Sequence, residues 1–426
     1  MKKLLAAVFA FVVVNAMADA SVTSIAARQR WPWSSAVDVD FWLDSESPAD
    51  ILFSFTYSGA SGAQNIVNGG LGATVYGATP GANHFAWYPE DYGLEDRSLV
   101  NFSLSVVSIT PVSNRTFLVL DLANNTYEFM ASRPSDELGW TNIIYKTSKI
   151  AFRRVPAGTY TVGHTEAEMT LLNGKSPTSQ ELASMGQREV KISSDYYIAI
   201  FPLTIGQQAY LGDGTASQKT SVTMVKNVSY DAIRGVTNVD ESVNVNWPAT
   251  GFGQFGSGTK LSYWKSNFRD LNVDLPTETQ WEVAMRAGTT TIYPNGGTSD
   301  NTREQLEVLW EEFAPNSTQE NIGLRSPNSW DIYNPIGMLW YWCLDAVTPA
   351  SETETLESNR WPGQSGRDPV GERIAVGSPM MRITRGGGYA NANMLNSMPG
   401  SRRAYSSSQQ QAAVRLAVHL ASPIKR

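Results

Sequence analysis

Short stretches in which apolar and polar residues alternate fill the first third of the chain. In residues 37–43 the apolar side chains occupy every second position, from Val37 to Leu43. This period of two predicts a strand with one buried face. Comparable stretches follow at residues 51–57, 84–88, 99–107, 117–122 and 126–130, separated by turn-forming segments. Strands at this spacing, without a helical pattern between them, predict an all-β sandwich of the immunoglobulin or fibronectin type over residues 21–145.

A change of pattern marks the end of this first domain. Residues 133–138 are polar and turn-prone, and residues 146–152 lead into a segment with a different arrangement of strands, loops and short helices. We therefore place the domain boundary between residues 145 and 146, with a second domain over residues 146–426.

The second domain contains two sequence signals for the start of a helix. Thr277 is followed three residues later by Gln280, a capping box in which each side chain bonds the backbone N–H of the other residue. Apolar residues at helical spacing follow, so the pattern predicts a helix over residues 277–287, ended by the next glycine. Thr204 and Gln207 form the same pattern and predict a shorter helix.

The predicted helix over residues 277–287 carries two carboxylates, Glu278 and Glu282, four positions apart. Residues at this spacing share one face of a helix. Paired carboxylates perform acid–base chemistry in glycoside hydrolysis, but acidic residues are also favoured near the positive N-terminal end of any helix. We therefore predict that both glutamates lie on a solvated face of this helix.

The segment from Arg385 to Ala417 has no such pattern. Its three consecutive glycines, residues 386–388, permit positive φ and predict a tight corner. The apolar run at residues 414–418 predicts a last buried strand. Between them, mostly small and amide-bearing residues follow neither a helical nor a strand period. They predict a long loop held at both ends, the kind of segment that commonly carries function.

The first twenty residues have the features of a secretory signal. Lys2 and Lys3 form a basic start, residues 4–14 are apolar but too few to span a bilayer, and Ala18-Asp19-Ala20 supplies a cleavage site. We therefore expect residues 1–20 to be removed and the protein to be exported, to the periplasm, the cell surface or the medium. The short basic start and overall pattern look bacterial.

Charge and cysteine content exclude several classes of function. The formal net charge of −7 and the absence of a basic patch argue against nucleic acid and anionic membranes as partners. Because the chain has one cysteine, Cys343, it cannot form an internal disulfide. The three histidines are scattered without ligand spacing, which argues against a histidine-based zinc or iron site.

Six blocks of the second domain resemble, in order, the motifs of the formylglycine-generating enzyme, or sulfatase-modifying factor, superfamily. They are VPAGTY at residues 155–160, residues 197–210, residues 224–232, LPTETQWEVA at 275–284, PNSWDIY and IGMLWYWC at 327–343, and RGGGY with VRLA at 385–389 and 414–417. The resemblance implies the family's loop-rich, C-type-lectin-like α+β fold for residues 146–426. It also implies an oxidase, which converts a sulfatase cysteine to formylglycine with copper and oxygen.

The cysteines on which the family's copper chemistry depends are missing. In the family a cysteine pair inside the last loop binds Cu(I), which prefers sulfur ligands. Here residues 390–413 contain no cysteine, and Cys343 lies in another block, where we expect it to be a small buried hydrophobic residue. The histidine-bound iron of the related sulfoxide synthases is not supported either. We therefore assign no catalytic residue and no copper.

The family's calcium site is also depleted. Met338 and Tyr341 stand where the motif has an asparagine and a glutamate, so two of the oxygen ligands that calcium prefers are lost. Asn328, Asp331 and Asn334 are the nearest remaining metal-ligand candidates, and ordinary turn-stabilising bonds are the alternative interpretation of these three side chains.

What remains is a rigid frame that presents a loop, as in the diversified receptors that some members of this superfamily resemble. Tyrosine, serine and asparagine suit adaptable recognition surfaces. Our candidate ligand-binding residues are Tyr389, Asn391, Asn393, Asn396, Arg402, Arg403 and Tyr405. The hypothesis is an inactive family member that binds a protein or glycan, the two arginines suiting an acidic or sulfated ligand. An oxidoreductase of the superfamily and a structural component of an extracellular assembly are the alternatives.

Overall fold

The structure, a computed structural model, describes residues 8–9, 20–30, 32–59, 62–66, 74–87, 100–210, 214–234, 268, 271–313, 322–347, 363, 365–369, 381–387, 397–406, 408 and 412–420. The chain divides into two compact units between Thr116 and Phe117, and the end of the chain from Leu420 is grouped with the first unit. Within these described residues, every helix is too short or too polar to pass through a membrane.

Unit 1 is built from β-strands. They are β1 (Val8–Phe9), β2 (Ser21–Gln29), β3 (Val37–Asp44), β4 (Ala49–Gly59), β5 (Gly62–Ile66), β6 (Thr74–Ala78), β7 (Gly81–Trp87) and β8 (Val100–Pro111), followed by a short 3₁₀ helix, Val112–Arg115. One sheet has the order β1-β2-β3-β7, and in the other β4 pairs with β5, β6 and β8. All of these pairs are antiparallel.

The predicted alternation is confirmed in β3, where Val37, Val39, Phe41 and Leu43 are buried and the residues between them are not. Both sheets contribute to one hydrophobic core, in which the rings of Phe41, Phe53 and Phe85 contact one another. Two antiparallel sheets around one core agree with the predicted all-β unit, and its immunoglobulin or fibronectin type stays a prediction.

Unit 2 contains the other strands and the α-helices. The strands are β9 (Phe117–Asp121), β10 (Thr126–Met130), β11 (Lys149–Val155), β12 (Gly158–Val162), β13 (Arg188–Ile192), β14 (Tyr196–Ala199), β15 (Leu271–Asp274), β16 (Tyr341–Val347), β17 (Gly366–Arg367), β18 (Met381–Arg385), β19 (Arg402–Ser406) and β20 (Ala417–Leu420). The helices are α1 (Glu166–Asn173), α2 (Ser179–Met185), α3 (Ile205–Gln208), α4 (Ala216–Lys219), α5 (Tyr230–Ile233), α6 (Glu278–Arg286) and α7 (Arg303–Glu311), with 3₁₀ turns at Gly139–Thr141 and Ile143–Lys146.

The sheets of unit 2 are small and come from distant parts of the chain. One has the order β10-β9-β11-β14-β20-β15, a second β12-β13-β17 and a third β16-β18-β19. Helix α6 lies in the main core cluster, where Trp281 and Met285 pack with residues of the strands. About half of the described residues of unit 2 lie in connections and loops, which agrees with the predicted α+β, loop-rich class.

The two compact units divide before β9, and the domain boundary at residues 145–146 stays a prediction. The sequence pattern placed the hairpin of β9 and β10 in the sandwich, but β9 pairs antiparallel with β11, with Leu118 opposite Phe152. The polar segment at residues 133–138, which resembled a linker, lies between β10 and the two 3₁₀ turns that precede β11. A strand's alternation shows that it has a buried face, but it does not show which sheet receives it.

Both predicted capping boxes are present. The Thr277 side chain accepts from the backbone N–H of Gln280, whose side chain accepts from the N–H of Thr277, and α6 starts there. Thr204 caps α3 in the same way. Helix α6 ends at two left-handed residues, Ala287 and Gly288, where the sequence predicted that one glycine would end it.

The long segment after Arg385 is more structured than predicted. Residues 402–406 form β19, which pairs with β18 so that Arg402 lies opposite Arg385. The sequence of β19 does not alternate between apolar and polar residues, because Arg402 occupies a buried position of the strand. The pattern therefore did not predict this strand. The last strand is β20 at residues 417–420, and Arg415 before it is fully buried, donating to the carbonyls of Ala199, Tyr333 and Asn334.

Candidate functional site

The site is the sheet of β16, β18 and β19, which carries the start of the segment predicted as the binding loop, at Arg385, and residues 402–406 within it. Along β19 the side chains alternate: Arg402 and Ala404 are buried, whereas Arg403 and Tyr405 are partly exposed. The sheet therefore has an inner face, packed against helix α6, and an outer face. All residues of β16 and β18 are buried, so the outer face is partly exposed only along β19.

On the inner face, Glu278 at the start of α6 binds two arginines. Its Oε2 accepts from Nε and Nη2 of Arg385, at 3.1 and 2.8 Å, and its Oε1 accepts from Nη2 of Arg402 at 2.6 Å. All three side chains are almost completely buried. Burial by itself would raise the pKa of Glu278, but Arg402 and Arg385 outweigh it and lower this pKa, so the glutamate stays charged.

Glu282, one turn later in α6, continues the cluster. Its Oε2 accepts from Arg385 at 3.1 Å, and its Oε1 accepts from Arg286 at 2.8 Å and from the N–H of Gly163 at 2.7 Å. Burial would raise the pKa of Glu282, but Arg286 and Arg385 lead the charges that hold it far below its usual range. We call Glu278, Glu282, Arg286, Arg385 and Arg402 the buried ion-pair cluster.

The prediction that Glu278 and Glu282 face solvent is wrong. Every residue of α6 is buried, and both glutamates have no exposed surface. Their partners lie more than a hundred positions further along the chain, at Arg385 and Arg402. Sequence analysis of the helix alone therefore missed the cluster. The sequence did contain both parts of the cluster within blocks that resemble the family motifs. Arg385 precedes the three glycines, and Glu278 and Glu282 lie in the block at residues 275–284.

The cluster also holds the last residues of the loop. Nη1 of Arg385 donates to the carbonyl of Pro399 at 3.1 Å. The N–H of Gly400 donates to Nε2 of the fully buried His164 at 3.2 Å, and Nη2 of Arg286 lies 3.1 Å from the same nitrogen. Burial, followed by the charge of Arg286, lowers the pKa of His164. The neutral imidazole of His164 therefore accepts a hydrogen bond from the backbone N–H of Gly400.

The outer face presents cationic and aromatic groups. The guanidinium carbon of Arg403 lies 5.0 Å from the ring centroid of Trp340, within cation–π range. The ring of Tyr405 meets that of Trp342 edge to face at 6.2 Å. Both tryptophans are buried, so they form a fixed support. Among the residues that the structure describes, no carboxylate forms an ion pair with Arg403.

The candidate ligand-binding residues thus separate into three groups. Arg403 and Tyr405 lie on the outer face and are partly exposed, and their role in ligand binding stays a prediction. Arg402 was predicted as a ligand-binding or solvated charge, and this is wrong, because it is buried on the inner face in its ion pair with Glu278. Tyr389, Asn391, Asn393 and Asn396 lie outside the described residues.

The three metal candidates are engaged in turn bonds. Nδ2 of Asn328 donates to the last carbonyls of α6, and its Oδ1 accepts from two backbone N–H groups of the next turn. Asp331 pairs with Arg133 at 3.1 Å, and Oδ1 of Asn334 accepts from Gly323. Met338 and Tyr341, which replace calcium ligands, are buried in the core. These donors do not fit a calcium site, and the described residues contain no metal-type cluster of acidic, histidine or cysteine side chains.

Cys343 does not fit a copper site. Its side chain is fully buried in β16, with Sγ 3.8 Å from the carbonyl of Tyr341. Burial, and then the charge of Asp345, raise the pKa of the thiol well above its usual value. A thiolate is the form that binds metal, so this thiol is held in the form that does not.

The small sheets, short capped helices and long connections of unit 2 define a loop-rich α+β domain built around a buried ion-pair cluster. The family model described as "Sulfatase-modifying factor enzyme 1-like domain" matches residues 146–420, and the chain belongs to this family. Among solved structures, the chain is similar to one described as "Crystal Structure of CarF", at 14% identity and a TM-score of 0.32, covering 62% of this chain and 99% of that one. A search of curated proteins found no match.

Proposed function

We propose that this family member is an exported recognition protein, not a cysteine oxidase, and that it binds an acidic or sulfated ligand on the outer face of the β16-β18-β19 sheet. The observation that carries the proposal is Arg403, supported on Trp340 and without an ion-pair partner among the described residues. Arginine binds carboxylate and sulfate through two parallel hydrogen bonds. Tyr405, two positions along the same edge, adds contact area and a hydroxyl.

The inner face supports this role by making the binding surface rigid. Glu278 is bonded to Arg385 of β18 and to Arg402 of β19, so two strands of the sheet are bonded to one buried carboxylate. A surface that is fixed before binding loses less entropy when the ligand arrives. The cluster therefore has a positioning role in the proposal, and Arg403 makes the contact.

The donor set argues against the family's oxidase in this chain. Copper(I) held by two thiolates requires two cysteines, and the sequence supplies one, which is buried. We expect no stoichiometric copper binding and no formylglycine on a sulfatase-motif peptide incubated with the protein, Cu(I) and oxygen. Copper bound one to one together with turnover of the peptide would contradict the proposal directly.

The binding surface is tested with dextran sulfate as the probe and neutral dextran as its uncharged counterpart. The protein has a net charge of −7, so any retention of a polyanion depends on a local cationic site. Arg403→Ala is expected to weaken dextran sulfate binding about tenfold, the loss of one bidentate charged contact. Affinity is measured by titration calorimetry at physiological salt.

Arg367→Ala is the matched control, since Arg367 is 72% exposed in the same unit and already lies 3.6 Å from Asp368. We expect it to bind dextran sulfate like the wild type. The proposal is overturned if the wild type does not distinguish dextran sulfate from dextran, or if the two arginine variants weaken binding equally.

A further inference from the structure

A second surface with binding character lies on unit 1, on the outer face of the β1-β2-β3-β7 sheet. Trp42 of β3 is 49% exposed there, although most large apolar side chains of this unit are in its core. Its neighbours across the sheet are small: Ser24 on β2 and Ala82 on β7. The indole therefore stands clear of side chains on both sides.

The ring of Trp42 leans over the neighbouring strand. Its Cζ2 and Cη2 atoms lie 3.9 Å from the position that a Cβ atom on Gly81 would take. Gly81 has φ +94°, a conformation that favours glycine, and without a side chain it leaves room for this edge of the ring. Trp42 as a whole is 49% exposed, and the exposed part of its indole can contact a ligand.

The next row of the same face is polar. Asp40 on β3 lies opposite His84 on β7, and Nδ1 of His84 is 2.8 Å from Oδ1 of Asp40. The two side chains are 69% and 40% exposed. Asp38, one row further, is bonded to Arg30, whose guanidinium compensates its charge. Hydrogen-bonding groups thus stand one row from an exposed aromatic ring.

We propose that this surface is a saccharide-binding site for a neutral chain of gluco-configured pyranose units. The axial C–H groups of such a sugar form an apolar face that stacks on the exposed part of Trp42, and its equatorial hydroxyls bond Asp40 and His84. The two carboxylates of this face, Asp38 and Asp40, are accompanied by two arginines, Arg30 and Arg28, which lie 2.5 and 3.9 Å from Asp38, and this formal balance of charge suits an uncharged ligand over an ionic one.

The surroundings favour a sugar over an apolar protein partner. One aromatic ring bordered by Ser24, Ala82 and a polar row does not make a contiguous apolar patch of the size that protein interfaces use. A pyranose ring has the dimensions of one indole and needs hydrogen bonds at its edge, which Asp40 and His84 supply.

The probes are cellohexaose, xylohexaose and chitohexaose, titrated separately into the full-length protein and followed by calorimetry and tryptophan fluorescence. We expect at least one to bind, and Trp42→Ala to weaken it by about tenfold or more, because stacking and buried apolar area are both lost. Trp33→Ala is the matched control: Trp33 is 88% exposed in the same unit, outside the sheet, and its removal is expected to leave the affinity unchanged.

His84→Ala supplies an independent measurement, with an expected loss of about fivefold from one hydrogen bond. The proposal is overturned if none of the three hexaoses binds the wild type, or if Trp42→Ala and Trp33→Ala bind equally well. It stands apart from the function proposed for unit 2, because Trp42→Ala is expected to keep dextran sulfate binding and Arg403→Ala to keep hexaose binding.

Discussion

Replacement of Glu278 by alanine is expected to lower the free energy of unfolding by about 3–5 kcal/mol. The carboxylate compensates Arg385 and Arg402, which are both buried. Without it, two guanidinium groups stay in the interior, where Glu282, which also binds Arg286, and the buried Asp345 compensate them only in part. A buried charge that loses its partner costs far more than the pair contributed, since its desolvation is no longer offset.

The loss is measured by urea unfolding of the full chain, and Glu307→Ala is the matched control. Glu307 is an exposed glutamate of helix α7, where removal of a surface charge is expected to change stability by less than about 0.5 kcal/mol. Glu278→Gln, which keeps the shape but has only one acceptor oxygen and no charge, gives a second measurement if the alanine variant does not fold. Equal stability of the Glu278 and Glu307 variants would refute a stabilising role for the buried ion-pair cluster.

Acidification is expected to destabilise the protein already below pH 6.5, before its carboxylates titrate. His164 and His419 are fully buried, and burial lowers the pKa of both, that of His419 to about 3. An unfolded histidine has a pKa near 6.5. Above that value neither state is protonated; below it the unfolded state binds protons first, so stability falls as the pH falls toward the folded pKa. His419 contributes a loss of about 2 kcal/mol between pH 6.5 and 5, and His164 adds a loss in the same direction.

The measured quantity is the urea concentration at the midpoint of unfolding, determined at a series of pH values. Glu278 and Glu282, with lowered pKa, add their own loss only when the pH falls below about 4.5, which separates their effect from that of the histidines. His419→Asn is expected to flatten the dependence between pH 6.5 and 5, and the exposed His84 replaced in the same way is the control. A midpoint independent of pH over this range, or a slope unaltered in His419→Asn, would contradict the assignment.

Local features of the fold were readable from the sequence. The alternation in β3 and the two capping boxes at Thr204 and Thr277 depend on residues within a few positions of one another, and all three appear in the structure. The order of motif blocks also indicated the family that the match over residues 146–420 shows. The absence of a cysteine pair is likewise a fact of composition, and no folding can supply a missing thiol.

Other features depended on long-range partners. The hairpin of β9 and β10 alternates like its neighbours in unit 1, yet it pairs with β11 in unit 2. The strand β19 was hidden because its buried position holds Arg402. The two glutamates of α6 were predicted to face solvent, since charged residues are usually exposed. Arg286 in the same helix binds Glu282, but the other partners, Arg385 and Arg402, lie far along the chain.

The sequence by itself therefore determined local elements such as β3 and the two capped helices, the family and the missing sulfur ligands, because each rests on residue identity or on neighbours within a few positions. Tertiary structure alone decided which charges are buried, which strand joins which sheet, and that Arg402 and Arg403, adjacent in the chain, have opposite environments. The physical reason is that the free-energy cost of burying a charged side chain is offset only when a group of opposite charge lies beside it. For Glu278 that group lies more than a hundred residues away and is brought near only by the complete fold.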